Sequence, residues 1–392
     1  MRVSFFPKGL VGFDKFPIRP GCLIVATHAR GLALRQGVAS WIFVGRYSGA
    51  NQHHLERIAS MTHVPATMQA VIAREPGNAS VLALAERSIP VPAPGEVLLR
   101  VRAAGINRPD IMQRQGIARP APGITDILGL EVCGEVIACG DNVDEHLMGQ
   151  RLMSLLPGGG YAPWCVATAC HSFAVPDDLS DAEAAALPEG LFTVWHNLFE
   201  LGRLAMGETV LIHGAAGGIG TLAVRMAHAA GAIVIATGSD ESRFAELKVM
   251  GADKTICWPS TDFSQACLDY TEGRGVDVVL DIVGGDYVRR NLQAMAFGGR
   301  HVSLSFMQGS AIQLELAMLM QKQLSLHSST MRPQSHEEKT RMAQAIARHV
   351  LPLVKQGRVL PRIHATFPLA HAVQAHEMLE GGKVFGKLVL TP

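Results

Sequence analysis

Four glycines within seven residues, Gly214, Gly217, Gly218 and Gly220, follow the apolar run Val210-Leu211-Ile212-His213 and precede a helical stretch at 221–230. A buried strand that turns through glycine into a helix leaves the first helical amides unpaired, and with the helix dipole they attract an anion. Gly217 admits a pyrophosphate to the backbone, with Ala216, Gly218 and Ile219 beside it, and Gly220 lets helix and strand pack closely. A second strand at 233–237 supplies the context in which such a loop binds a dinucleotide. A plain tight turn does not need this many glycines.

A chain of 392 residues exceeds what one core usually fills, so two domains are expected. From 68 to about 188 short strands (69–74, 96–103, 131–137, 150–155) are broken by Gly and Pro, and this half reads as mainly β. After Pro188 a helix at 191–201 opens an alternation with strands near 209–213, 232–237, 254–256, 276–281, 299–304 and 323–327. Such alternation predicts an α/β fold with a doubly wound parallel sheet. The tail reads helix 337–356, strand 363–367, helix 369–379, strand 384–390, and returns to complete the first domain. The organisation expected is an extension at 1–67, a catalytic domain at 68–190, a nucleotide domain at 191–330 and a C-terminal return at 331–392.

The extension carries eight Lys/Arg against two acids, while the remainder carries 27 against 32. It reads either as a basic targeting segment or as a start placed upstream of a working chain that begins near Met61 or Met68; the second is preferred, and little order is expected there. A net charge of +1 gives no reason to expect nucleic acid, and no apolar run is long enough to span a membrane. Seven scattered cysteines without a C-x-x-C pair suggest reduced thiols in a cytoplasmic enzyme.

Local strings narrow the family. Ala104-Gly105-Ile106-Asn107-Arg108-Pro109-Asp110, Leu128-Gly129-Leu130-Glu131, Leu156-Pro157-Gly158-Gly159-Gly160 and Gly386-Lys387-Leu388-Val389-Leu390 together resemble the quinone oxidoreductase branch of the medium-chain dehydrogenase/reductase superfamily. The resemblance covers 68–392. It implies a GroES-like β-barrel catalytic domain joined to a Rossmann domain, NADP(H) as cofactor, no metal or flavin, and reduction of quinones. It also implies a homodimer paired through sheet edges, with 324–327 the candidate edge. Zinc-dependent relatives place a cysteine and a histidine where this chain has Asn107 and Leu130, and the four-cysteine lobe is missing; neither side chain here builds a catalytic zinc site. His213 reads as a core histidine. Without a Lewis acid, alcohol oxidation is disfavoured, leaving quinones and conjugated carbonyls as acceptors.

On the cofactor side, the second strand ends at Ser239 with no acid in place for a ribose 2′-OH. Arg243 matches the lysine that relatives use against a 2′-phosphate, although Asp240 and Glu241 nearby oppose one and a solvated helix face is the plainer reading of Arg243. Trp258 replaces a tyrosine near the adenosine. On the substrate side, the resemblance sets Asn107 beside the nicotinamide, where it bonds an acceptor oxygen, with a cap before Pro109 as the alternative. Thr193 is expected at the carboxamide, and Val283, Gly284, Ser303 and Phe306 at carboxyl ends of strands. Ala118 stands where relatives have a tyrosine, which counts against enoyl reduction and widens the pocket for bulky quinones. The function expected is NADPH:quinone oxidoreductase. The alternatives are an NADPH-dependent reductase of activated double bonds and a nucleotide-binding protein with little turnover.

Overall fold

In the strand Glu96–Gly105 (β3), Arg100 and Arg102 alternate with the buried Leu99, Val101 and Ala103, and both arginines pair with Glu135 on the neighbouring strand at 2.6 and 2.8 Å. The computed structural model describes residues 64–118 and 120–392. The expectations for the extension fall outside them except at 64–67, where the first strand, Thr67–Ala73 (β1), already begins at Thr67.

β1 forms an antiparallel ribbon with Leu82–Ser88 (β2). Around β3 a seven-stranded sheet is built from Glu131–Cys139 (β4), Arg151–Leu155 (β5), Trp164–Thr168 (β6) and Ser172–Ala174 (β7). The C-terminal strands Ile363–Pro368 (β14) and Lys387–Thr391 (β15) join it, β15 pairing with β3 at Val389↔Gly105. The tail thus returns to the first sheet.

The second sheet contains Thr209–Ile212 (β8), Ile233–Gly238 (β9), Lys254–Cys257 (β10), Val276–Asp281 (β11), Met295–Ser303 (β12) and Ser325–Ser328 (β13). Its order is β10-β9-β8-β11-β12-β13, all parallel. This is the doubly wound arrangement, with the order reversing between β8 and β11. One apolar core runs from Ala103, Cys133 and Met153 of the first sheet to Leu191, Ile212 and Val278 of the second half, so the two pack as one body.

Several boundaries differ from the sequence reading. The helix after β8 is Gly218–Ala229, not 221–230, because Thr221 N donates to Gly217 O at 2.9 Å and draws two loop glycines into its first turn. The helix expected at 191–201 begins at Pro188, whose missing N–H suits a first turn, and widens over Trp195–Leu201 into i→i+5 turns such as Gly202 N to Asn197 O. The tail helix is divided into His336–His349 and Leu351–Lys355 just before Pro352. β15 starts at Lys387 rather than 384, because Gly386 N is committed to Ala216 O at 2.8 Å.

Candidate active site

Because the six strands are parallel, their carboxyl ends share one edge of the sheet. The glycine loop follows β8, Ser239 follows β9, Trp258 follows β10, Val283 and Gly284 follow β11, and Ser303 closes β12 with Phe306 three residues on. Ala215 N bonds Thr237 O at 3.1 Å and Leu304 N bonds Asp281 O at 2.7 Å, which ties these ends together. A Cβ on Gly284 would stand 3.1 Å from Phe306 Cδ1, so those two residues adjoin. Trp258 is 39% exposed and meets Tyr287 edge-on at 6.2 Å. Thr193 lies in the helix Pro188–Val194, where its carbonyl accepts from Asn197 Nδ2 at 2.8 Å. His213 is a core residue, bonded to Thr237 Oγ1 (2.9 Å) and Asn291 Oδ1 (2.7 Å).

Within the loop the glycines differ. A Cβ on Gly220 would lie 2.3 Å from Gly214 O, and one on Gly218 would lie 2.4 Å from Lys387 Cδ. Gly217 has ordinary extended dihedrals (φ −75, ψ 172), and its Cβ would meet nothing nearer than Gly214 O at 3.3 Å. The first-turn amides of Gly218, Ile219 and Gly220 have no intrahelical acceptor. Arg243 does not stand free: Nε donates to Asp240 Oδ2 (2.9 Å), Nη1 to Val384 O (3.1 Å) and Nη2 to Lys383 O (2.8 Å). Asp240 also accepts from Ser242 N and Oγ, which hold its carboxyl below the usual range.

The loop meets the first sheet through Lys387. Its Nζ donates to Glu131 Oε1 (2.5 Å), Asn107 Oδ1 (2.6 Å) and Ile106 O (3.2 Å). Asn107 Nδ2 donates to the same Glu131 oxygen at 2.9 Å, and Glu131 Oε2 accepts from Glu189 N at 2.9 Å. Asn107 stands before the helix Arg108–Arg114 as a cap residue would, but its side chain faces this ion pair, leaving one amide hydrogen to offer. Its backbone N–H is held by Asp110 Oδ2 at 2.8 Å. Asp110 is backed by Tyr161 Oη (3.1 Å), which meets His376 Nε2 (3.1 Å), whose Nδ1 faces Arg114 Nη1 (3.3 Å). Burial pushes Asp110 up to about 6 and His376 down to about 4, so the imidazole is neutral and accepts from Arg114. This chain of contacts fixes Asn107.

Sequence reasoning missed two charged residues here. Glu189 is 8% exposed, and burial, with the Glu131 charge adding, pushes its carboxyl up to about 7. Arg332 donates through Nη2 to Gln113 Oε1 at 3.0 Å, while Nε and Nη1 are buried without partners. No spacing motif marks either; only the folded chain brings them to Asn107's neighbourhood. Elsewhere, Cys170, His171 and His336 converge within 4.8 Å, joined by His171 Nε2 to His336 O and Thr340 Oγ1, both at 3.2 Å. Ala118 sits in the turn after the helix Arg108–Arg114, with its N–H on Met112 O, and its methyl has no proton to give.

Two family models match: one described as the alcohol dehydrogenase GroES-like domain over 93–181, the other as zinc-binding dehydrogenase over 218–348. A phenolphthiocerol/phthiocerol polyketide synthase chain of Mycobacterium tuberculosis is 33% identical over 318 residues, 81% of this chain and 14% of that protein. The chain therefore spans about a seventh of the length of such curated relatives. A mycobacterial quinone oxidoreductase structure is 30% identical with a TM-score of 0.72, covering 83% of this chain and all of that one. The CurK enoyl reductase structure is 26% identical with a TM-score of 0.74, covering 83% and 99%. The zinc in the second model's description does not fit the strand-end site: Asn107 Oδ1 is taken by Lys387 and Leu130 has no donor atom. With its GroES-like and dehydrogenase family matches, its doubly wound sheet and the non-ligating Asn107 and Leu130, the chain belongs to the zinc-independent quinone oxidoreductase branch of the medium-chain dehydrogenase/reductase superfamily.

Proposed function

We propose that the protein is an NADPH-dependent quinone oxidoreductase that works without zinc or flavin. The observation that carries the cofactor half of this reading is Gly217. Its dihedrals suit any residue and a methyl would need only a few tenths of an ångström of give, so the fold has little need of glycine there. A pyrophosphate drawn against the backbone and the amides of Gly218, Ile219 and Gly220 does need it. Ala216 borders this cradle, with Ser239, Arg243 and Trp258 on the adenosine side and Thr193, Val283, Gly284, Ser303 and Phe306 toward the nicotinamide. When bound, the reduced nicotinamide supplies a hydride. The chain's own residues position the acceptor, Asn107 offering its remaining amide hydrogen to an acceptor oxygen, and keep water from the reacting atoms.

NADPH over NADH is supported by the lack of an acid at Gly238 and Ser239. Asp240 is engaged by Ser242 and Arg243, and the Arg243 guanidinium offsets its charge; Arg243 keeps unassigned N–H groups on Nη1 and Nη2 to offer a 2′-phosphate. A second reading, reduction of activated double bonds, is favoured by the likeness to the CurK enoyl reductase and to polyketide synthases. One assay separates them: loss of reduced nicotinamide absorbance with phenanthrenequinone or an aliphatic enal, using NADPH or NADH. NADPH with the quinone is expected to react fastest, and Arg243→Ala to raise the NADPH KM about tenfold while sparing NADH. Faster turnover of the enal would transfer the case to the second reading.

We read the active form as a homodimer extended through β13, the outer strand of its sheet. Leu326 on that strand is partly exposed, and Leu316 and Met320 of the preceding helix are 70% and 77% exposed, an apolar face suited to a second copy. Light scattering on a sizing column is expected to give twice the chain mass, and Leu326→Lys to give monomer. A monomeric wild type would refute this.

A further inference from the structure

Two charged side chains beside the Asn107–Lys387–Glu131 cluster leave hydrogen-bonding atoms unused by the fold. Glu189 uses its backbone N–H on Glu131, but its carboxyl makes no hydrogen bond among the described residues. Arg332 reaches from the segment after β13 to Gln113 on the helix Arg108–Arg114, spanning the two sheets, and leaves Nε and Nη1 buried and unanswered. Its place is set from behind: Ser329 Oγ donates to Asn197 Oδ1 at 2.8 Å, and Lys339 Nζ donates to the carbonyl of Arg332 at 3.0 Å. Buried guanidinium nitrogens without partners are rare, and an oxygen of a ligand is what would satisfy them.

Apart from the one remaining amide hydrogen of Asn107, the other polar groups nearby are committed. Lys387 answers Glu131 and Asn107, and Asp110 answers Asn107 N, Gly129 N and Tyr161. Ala118 has no proton. The charges acting on Glu189 come from Glu131 on β4, Lys387 on β15, Asp110 on the helix Arg108–Arg114, Arg332, and Lys339 on the helix His336–His349. Burial and the two carboxylates outweigh the cations and push the Glu189 carboxyl up to about 7.

Resting on the reductase reading above, we infer that Glu189 and Arg332 form the acceptor subsite, Arg332 binding the acceptor's carbonyl oxygen and Glu189 giving it a proton. The ligand class is a conjugated carbonyl compound whose oxygen becomes anionic on reduction, a quinone in the first instance. Addition of a hydride brings two electrons and leaves an oxyanion, which the Arg332 cation stabilises. The O–H bond of Glu189 then breaks, its proton forms the hydroxyl of the quinol, and the carboxylate regains a proton from solvent. Glu189 takes the part that the missing tyrosine leaves open.

The test uses the full chain with NADPH and phenanthrenequinone from pH 5.5 to 9. Wild-type kcat is expected to fall as pH rises through about 7, where Glu189 loses its proton. Glu189→Gln should lower kcat about 100-fold, abolish that alkaline limb and leave the NADPH KM unchanged. Glu189→Asp, which keeps an acid, should restore part of the rate and the limb. Arg332→Met should raise the quinone KM about tenfold or more, with Arg332→Lys intermediate. Melting temperatures near wild type establish that the variants are folded. Glu189→Gln turning over at the wild-type rate with the wild-type limb would overturn the inference and leave the reductase reading standing. A folded wild type that consumes no cofactor with any quinone or enal would instead remove the reading on which it rests.

Discussion

Replacing Lys387 by Met is expected to destabilise the protein by about 3–5 kcal/mol, because it strands the Glu131 carboxylate without its cation. Glu131 is fully buried and Lys387 is 5% exposed, so water does not stand in for the lost ammonium. The aliphatic stem is retained, so the packing over Gly218 persists and the loss is electrostatic. Glu131 can escape only by taking up a proton, which makes the folded variant bind a proton that the unfolded chain releases above its ordinary carboxylate range. Stability of the variant should therefore fall as pH rises from 5 to 8. The double variant Lys387→Met, Glu131→Gln should recover most of the loss, since no buried charge is left unpaired. Urea midpoints of the wild type, both single variants and the double variant at pH 5.5 and 8 measure this directly. A Lys387→Met midpoint close to wild type at pH 8 would show that Glu131 is hydrated and the pair is not structural. The same substitution frees Asn107 Oδ1, so activity should fall even where the protein remains folded.

What was legible in the sequence was what local chemistry dictates. The glycine loop could be read because strand, turn and helix are contiguous, and the alternation of β8 to β13 with helices gave the parallel sheet by the same logic. β2 is different. Leu82-Ala83-Leu84-Ala85-Glu86-Arg87-Ser88 has helix-forming composition, and only pairing with β1 makes it a strand. The acceptor side was legible at Asn107 through family likeness but not at its partners. Glu189 in a first helical turn looks like an ordinary acid favoured by the helix dipole. Its backbone N–H is held by Glu131, 58 residues away, and Asn107's side chain by Lys387, 280 residues away. Arg243 shows the converse: the sequence offered a free cation, whereas folding binds it to Asp240 and to two carbonyls of the tail. Pairings across such separations leave no periodic trace.

Gly220→Ala and Gly217→Ala are expected to fail for different reasons, and the difference tests how the loop works. At Gly220 a methyl would stand 2.3 Å from Gly214 O and 2.7 Å from Ala215 Cα, both backbone atoms that cannot rotate away. The helix Gly218–Ala229 must then lift from the turn, disturbing Leu222, Ala223 and Val224, which are buried in the core that joins the two halves. A loss of about 1–3 kcal/mol in the free protein is expected, with cofactor affinity falling as the amides move. At Gly217 the nearest atom is 3.3 Å away and the backbone is relaxed, so the free variant should melt close to wild type. Its methyl instead occupies the space through which a pyrophosphate must approach, and NADPH affinity should drop about 100-fold or more, since the anion can no longer reach the first-turn amides. Calorimetric melting without ligand, beside fluorescence titration with NADPH, separates the two effects. A Gly217→Ala protein that melts normally and binds NADPH as well as wild type would mean that the cofactor phosphates lie elsewhere, and the assignment of this loop would have to be abandoned.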